Sequence, residues 1–302
     1  MAYESPSRTA ASPEAVSPPD TRLLACMICG AESRAYCDRL SFGENWSVRQ
    51  CLQCGHGFVS NRPTHLQLQA IYASDVHLPL EEPDLALLQS QADAKDLARR
   101  VSSLCDSRGR SLDVGSGSGG FSYYLAREGF TPFMIDLDPR AAKWAALVPG
   151  ACFELCSIEA YTDPEPFDVI VMSQVLEHAL NPMEWLRRAS RLLSPDGVLA
   201  IALPNFGGVY HLLGARDPFL IPPIHLNFFT PTSLRLAFRS AGLDARVMRS
   251  RSRVHVPKGL PMRSFILRRA WNAVCQILDP TSRGIVLTAF AKLAAQTLPA
   301  GR

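Results

Sequence analysis

The reactive side chains of this sequence gather in a few places. The most conspicuous are two knuckles, Cys26-x-x-Cys29-Gly30 and Cys51-x-x-Cys54-Gly55, with 21 residues between them. Thiols paired at that spacing suit a tetrahedral zinc ion, and the glycine after each second cysteine suits a tight ligand turn. Four thiolates close the coordination sphere, so the expected ion is structural. Four reduced thiols or two disulfides are the other outcomes, and His56 and Cys37 are substitutes should one of the four not be a ligand. A second group is Asp113 and Asp136 around Gly115, Gly117 and Gly119. Glycines at alternate positions let the backbone approach a ligand closely, and an ionised acid can accept both hydroxyl hydrogens of a ribose. The third group is Glu177-His178 and, farther on, His225. Imidazole exchanges protons near neutral pH, so His225 and His178, with Glu177 adjacent, are the candidates for proton transfer. The plainer role for these residues is to cap a helix or pack in a wall.

Apolar periodicity supplies the frame that must hold them. Residues 109–250 alternate short apolar runs with helical stretches, the βαβ pattern of a parallel sheet. The pattern predicts strands at 111–115, 131–137, 152–156, 167–173, 197–203 and 244–250, and helices at 119–129, 139–147, 182–193 and 231–241. Asp113, Asp136 and Glu177-His178 then lie at or just past strand ends, where open α/β sheets bind ligands. The glycines also satisfy G-x-G-x-x-G through Gly115, Gly117 and Gly120, which a dinucleotide site would share. Asp113 argues against that, because a carboxylate there suits a cationic amino-acid end and repels a pyrophosphate. Upstream, residues 1–20 read as a disordered tail, 21–62 as the cysteine module, and 63–108 as a helical linker in which Leu85, Leu88, Ala92, Leu97 and Val101 share one helical face. Residues 251–302 read as a C-terminal helical extension, with 252–257 a candidate edge strand.

Four segments, LDVGSGSG, IDLDP, FDVIVMSQVLEH and LLSPDGVLAIALPN, follow in that order. Together they resemble the motifs of class I S-adenosylmethionine-dependent methyltransferases. CLQCGHGFVSNRPT resembles the zinc-ribbon front end of many bacterial members, sugar C-methyltransferases among them, and the segment from Ile221 to Leu234 resembles a subgroup from bacterial glycan and secondary-metabolite pathways. The resemblance implies a Rossmann-like α/β sheet with helices on both faces, plus a small N-terminal zinc ribbon. It implies that Asp113, Gly115, Ser116 and Gly117 face the methionine part of S-adenosylmethionine, with Gly119 in the same loop. Asp136 would bind the ribose, Leu137 would lie against the adenine, Ser157 and Ile158 would flank its edge, and Ser173 and Gln174 would line the sulfonium side. Many relatives carry Asp where this chain has Ser157. Q-V-L-E-H is also similar to the E-V-x-E-H segment of ubiquinone-biosynthesis O-methyltransferases, where two Glu and a His are associated with a divalent metal. Gln174 replaces the first Glu here, and an amide is a weaker ligand for a hard cation, so no catalytic metal is expected.

The 302-residue chain carries a net charge of +3, too mild to demand nucleic acid or an anionic membrane. In the ribbon, Arg34, Arg39, Arg49 and Arg62 are balanced by Glu32, Asp38 and Glu44. That disfavours an RNA methyltransferase, which stays as an alternative beside a non-catalytic cofactor-binding scaffold. No run approaches the roughly 20 apolar residues of a membrane span, and no secretory core is present, so a cytoplasmic location is expected. The C-terminal stretch, with Arg on one helical face, can pack on its own domain, on a second copy as a homodimer, or peripherally on a membrane. The expected reaction is methyl transfer to a small-molecule acceptor, a sugar or other polar metabolite, with oxygen favoured as the acceptor atom.

Overall fold

Strands and helices alternate through most of the chain. The computed structural model describes residues 23–72, 82–252, 273–274 and 277–295. The expected tail over 1–20 lies outside these, as do 253–257 of the candidate edge strand and most of the Arg-bearing helix. In chain order the elements are β1 (Ser33–Ser41), β2 (Glu44–Cys51), β3 (Gly57–Val59), α1 (His65–Tyr72), α2 (Leu85–Gln89), α3 (Ala92–Ser102), β4 (Arg110–Val114), α4 (Gly120–Arg127), β5 (Thr131–Asp136), α5 (Ala141–Ala145) and β6 (Cys152–Leu155). They continue with β7 (Phe167–Ser173), α6 (Pro182–Leu192), β8 (Leu193–Pro204), β9 (Asn227–Phe228), α7 (Pro231–Ser240), β10 (Leu243–Arg251) and β11 (Val286–Leu293).

The main sheet has seven strands in the order β10-β11-β8-β7-β4-β5-β6. The pairs among β8, β7, β4, β5 and β6 are parallel, whereas β11 runs antiparallel to both β8 and β10. Successive side chains of a strand point to opposite faces. Ile170 and Met172 therefore join Leu186 of α6 and Phe238 of α7, while Val169 and Val171 join Leu97, Tyr123 and Trp144 of α3, α4 and α5. Both faces are covered, which is why β7 reads as an unbroken apolar run. Burying each such Leu or Phe contributes about 1.5–3 kcal/mol. Helix starts follow local chemistry. Asn181 Oδ1 accepts the Glu184 N–H at 3.1 Å with Pro182 in the first turn, and Thr230 with Ser233 forms a capping box ahead of α7.

Two local expectations are corrected. The stretch 84–104, expected as one helix, breaks at Ser90-Gln91, and the phase change buries Ala94 while Ala92 and Leu85 are exposed. Second, residues 286–293 form β11 within the sheet and not part of a helical extension. Its run VLTAFAKL is buried on both faces, and a short apolar run of that kind cannot be told from a buried helix by periodicity.

The cysteine module forms a second sheet, β1-β2-β3-β9. Its last strand comes from the loop after β8, with Gly57 paired to Phe228 and Phe58 to Asn227. Cys26, Ile28, Cys51, Cys54 and Phe58 share one buried cluster with Phe229 and Leu234, so the ribbon and the α6/α7 face have a common core.

Candidate functional site

The glycine loop joins β4 to α4 at the carboxyl end of the sheet. Gly115, Gly117 and Gly119 have φ of 65°, 51° and 73°, a region costly for side-chain-bearing residues. Gly119 caps α4, and a Cβ on Gly120 would lie 1.8 Å from Gln91 Oε1. Asp136, at the end of β5, accepts the Gly117 N–H at 2.8 Å and the Asp138 N–H at 2.9 Å. Burial raises its carboxyl above the ordinary value. Two bonds leave further acceptor capacity on its oxygens. Asp113 is buried and accepts Ser122 Oγ at 2.9 Å, and burial pushes its carboxyl up to about 7. Ser116 Oγ is buried with no hydrogen-bond partner among the described residues. An orphaned hydroxyl beside a glycine loop and a strand-end carboxylate fits an adenosyl amino-acid ligand, because each offers a contact the fold itself does not use.

The remaining expected cofactor positions are distributed around this loop. Leu137, immediately after Asp136, is 62% exposed, unusual for a leucine and available to a flat apolar ring. Ser157 accepts the Ala160 N–H, and Ile158 points into the core. Ser173 ends β7, and exposed Gln174 has φ of 57° with its N–H on the Ala202 carbonyl at 2.7 Å.

The proton-transfer candidates converge. A 3-10 turn at Leu176–His178 follows β7, and His225 arrives from the loop that leads to β9. Donor atoms of Glu177, His178 and His225 all lie within 4.8 Å of one another, and the two imidazoles meet edge to face at 5.0 Å. His178 Nδ1 is 2.7 Å from the Ile224 carbonyl and Nε2 is 3.1 Å from the Gln174 carbonyl. A neutral ring can donate to only one of these, whereas a ring that has gained a proton donates to both. His225 Nδ1 faces the Phe219 carbonyl at 2.9 Å, which makes Nδ1 the N–H and Nε2 the acceptor nitrogen when the ring is neutral. Both oxygens of Glu177 are buried without a partner among the described residues, and burial pushes its carboxyl up to about 8.

The four knuckle thiols also come together. Sγ separations are 3.7 Å for Cys26–Cys54, 3.5 Å for Cys29–Cys51 and 3.6 Å for Cys29–Cys54. Zinc–sulfur bonds of about 2.3 Å place tetrahedral sulfurs about 3.8 Å apart, so the donors fit. None of the four is in a disulfide. The contact with Cys54 pulls the Cys26 thiol down, and the same contact pushes Cys54 up.

Sequence reasoning missed Asn227 and Arg62, which join the ribbon to the Glu177–Ala179 turn. Asn227 Nδ2 donates to the Ala179 carbonyl at 2.7 Å, and its Oδ1 accepts Arg62 Nη2 at 2.9 Å. The only available signal was a polar residue inside the apolar run of Leu226 to Phe229.

Comparisons with known proteins agree with this architecture. Residues 88–246, more than half the chain, match the family model Methyltransf_23, a methyltransferase domain. The ubiquinone biosynthesis O-methyltransferase of Caulobacter sp. is 29% identical over 191 residues, covering 56% of this chain and 69% of that protein. The enzyme of that name from Paracidovorax citrulli is 31% identical over 150 residues, covering 45% of this chain and 63% of that protein. Among solved structures, the [4+2]-cyclase SpnF is 20% identical with a TM-score of 0.53, covering 77% of this chain and 98% of its own. A chain from the complex of the Haloferax volcanii Trm112 methyltransferase activator with a methyltransferase is 18% identical with a TM-score of 0.52, covering 70% of this chain and 95% of its own. Those two show the fold alone. The glycine loop closed by a strand-end carboxylate, the seven-stranded order with its antiparallel β11, and the family match together make this chain a member of the class I S-adenosylmethionine-dependent methyltransferases.

Proposed function

We propose that the chain methylates an oxygen of a small acceptor, with His225 and His178 handling the proton that the acceptor loses. The supporting observation is the convergence of Glu177, His178 and His225 one turn past β7, beside Gln174. The relatives whose names specify O-methylation favour oxygen as the acceptor atom.

S-adenosylmethionine, when bound, supplies an electrophilic methyl group, so catalysis by the protein is largely alignment. Asp136 holds the ribose while Gly117 is fixed against it. Ser116 and the loop amides face the amino-acid end, and Leu137 and Ser157 frame the adenine. Ser173 and Gln174 border the reacting side. A hydroxyl needs a base as the new bond forms. His225 takes that proton at Nε2, and His178 can hold a further proton between the Ile224 and Gln174 carbonyls. Glu177 stays largely neutral at pH 7, so it adds no second negative charge beside the acceptor oxygen.

The ribbon holds a structural zinc through Cys26, Cys29, Cys51 and Cys54, and residues 21–62, 63–108 and 109–250 serve as ribbon, helical linker and catalytic domain. The acceptor is a sugar or another polar metabolite of the cell interior, the charge balance gives no reason to invoke nucleic acid or a membrane, and the chain acts alone or as a homodimer. No helix among the described residues is long and apolar enough to cross a membrane. SpnF shares the fold and is named a cyclase, so binding and turnover must be measured separately. The deciding experiment is a metabolite screen with methyl-labelled donor. Label on an acceptor oxygen, as a methyl ether, lost in His225→Ala, supports the reading. Label on carbon or nitrogen, or none with donor bound, defeats it.

A further inference from the structure

We infer that Asn227 and Arg62 are positioning residues for the Glu177–Ala179 turn, which makes the cysteine module part of the reaction's scaffold. The inference rests on the proton-transfer reading of that turn. A short 3-10 turn leaves carbonyls at its C-terminal end without helical partners. Here they are closed from the ribbon side. The Glu177 carbonyl accepts the Leu226 N–H at 2.8 Å and Asn227 Nδ2 at 3.3 Å. The Ala179 carbonyl accepts Asn227 Nδ2 at 2.7 Å and Arg62 Nη1 at 3.4 Å. Arg62 Nη2 reaches Asn227 Oδ1 and, at 3.0 Å, Met27 Sδ.

Arg62 lies three residues past β3 and is partly buried. Burial pushes its guanidinium down to about 10, and among the described residues no carboxylate pairs with it to offset that cost. Asn227 is buried too, on the strand that extends the ribbon sheet. A guanidinium is a planar fork that can bridge two acceptors at once, which an ammonium on a flexible stem does not do. The fork spans Asn227 and Ala179, and Asn227 spans Arg62 and the turn. The turn therefore takes its position from the ribbon as well as from β7. His178 sits inside it, one ring nitrogen against the carbonyl of Ile224, the residue before His225. Through this relay the knuckles set where the two imidazoles stand.

S-adenosylhomocysteine is the probe for the test. In full-length Asn227→Ala the ring-nitrogen resonances of His178, assigned by their loss in His178→Gln, should move. The Kd for S-adenosylhomocysteine should stay within about twofold, and zinc content should match the parent. Asn227→Asp keeps an acceptor for Arg62 but loses both donors, and should reproduce the spectral change. Arg62→Lys keeps the charge, loses the fork, and should give a smaller change of the same kind. Unmoved His178 resonances in folded Asn227→Ala overturn the inference. Parallel loss of S-adenosylhomocysteine binding also overturns it, because the pair would then hold the cofactor crevice. Should Asn227→Ala fail to fold, Arg62→Lys decides on the same two readouts. Failure of the proton-transfer reading shows separately, as unchanged turnover in His225→Ala, while the His178 spectra still judge the relay.

Discussion

Gly115 and Val175 lie against each other: a Cβ added to Gly115 would lie 2.6 Å from Val175 Cγ2. The glycine loop after β4 and the turn after β7 are thus packed directly together. Anything that moves one moves the other. This contact links the loop proposed to face the donor with the turn proposed to face the acceptor.

Gly115→Ala should be destabilising on two counts. Its φ of 65° is left-handed, which costs about 1–2 kcal/mol for a residue with a Cβ, and the clash with Val175 adds about 1–3 kcal/mol. Val175→Ala in the same chain should recover only the second part. Thermal unfolding of the single and double variants checks this, and full recovery would show that the backbone conformation carries no cost.

Asp136→Ala should abolish S-adenosylhomocysteine binding measurable by calorimetry. It removes the proposed ribose acceptor and also the anchor that holds the Gly117 N–H at 2.8 Å. Loss of hydrogen bonds to a charged group is worth about 1.5–3 kcal/mol each, so a fall in affinity of a hundredfold or more is expected. Equal binding by the variant contradicts the ribose assignment.

The contributions of Asp113 and Glu177 to the apo chain's stability should fall as pH rises from about 4 to 8. Burial raises Asp113 to about 7 and Glu177 to about 8. A carboxyl whose folded value is raised stabilises the fold fully below its unfolded value near 4, and that contribution disappears as pH climbs through the folded value. Glu177→Gln stays neutral throughout, so its unfolding midpoint should fall less than the parent's between pH 5 and pH 8.5, a difference on the order of 1–3 kcal/mol. Parallel curves for parent and variant would show that Glu177 ionises without penalty.

Elemental analysis should find about one zinc per chain, lost in Cys51→Ser together with much of the fold's stability. The loss should reach beyond the ribbon, because Thr230 Oγ1, at the cap of α7, donates to the Cys54 carbonyl at 3.0 Å. A Cys51→Ser chain with full zinc and unchanged stability removes the assignment. A second bound metal in the parent would place a cation among Glu177, His178 and His225.

His225→Ala should lower turnover by about 10²–10⁴ while leaving S-adenosylhomocysteine affinity nearly unchanged. Turnover is measured with the acceptor that the labelled-donor screen identifies. Unchanged turnover makes His225 a packing residue of the wall that includes Phe219 and His178.

The sheet core was legible because its signals are local. β7 matches its expected span of 167–173 residue for residue, and Asn181-Pro182 and Thr230-Pro231 mark helix starts through bonds to residues three or fewer positions away. The knuckle thiols were legible for the same reason, since each pair lies on one turn. What escaped depends on distant pairing. The run 286–293 becomes a strand only because β8 and β10 are waiting on either side. The ribbon's fourth strand comes from 227–228, about 170 residues beyond β3. Asn227 gains its meaning from Arg62 and Ala179, and no spacing rule joins those three. Val175 likewise becomes the neighbour of Gly115 only through the parallel pairing of β4 with β7.

The last strand in chain order among the described residues is not at the rim of the sheet. β11 is wedged between β8 and β10, so ribosomal emergence of residues 286–293 must precede closure of that side. Until then β8 and β10 present open backbone edges to the surroundings while the donor-binding half is already contiguous. A chain interrupted before Ile285 would thus leave the β8 and β10 edges open to strand exchange with its neighbours.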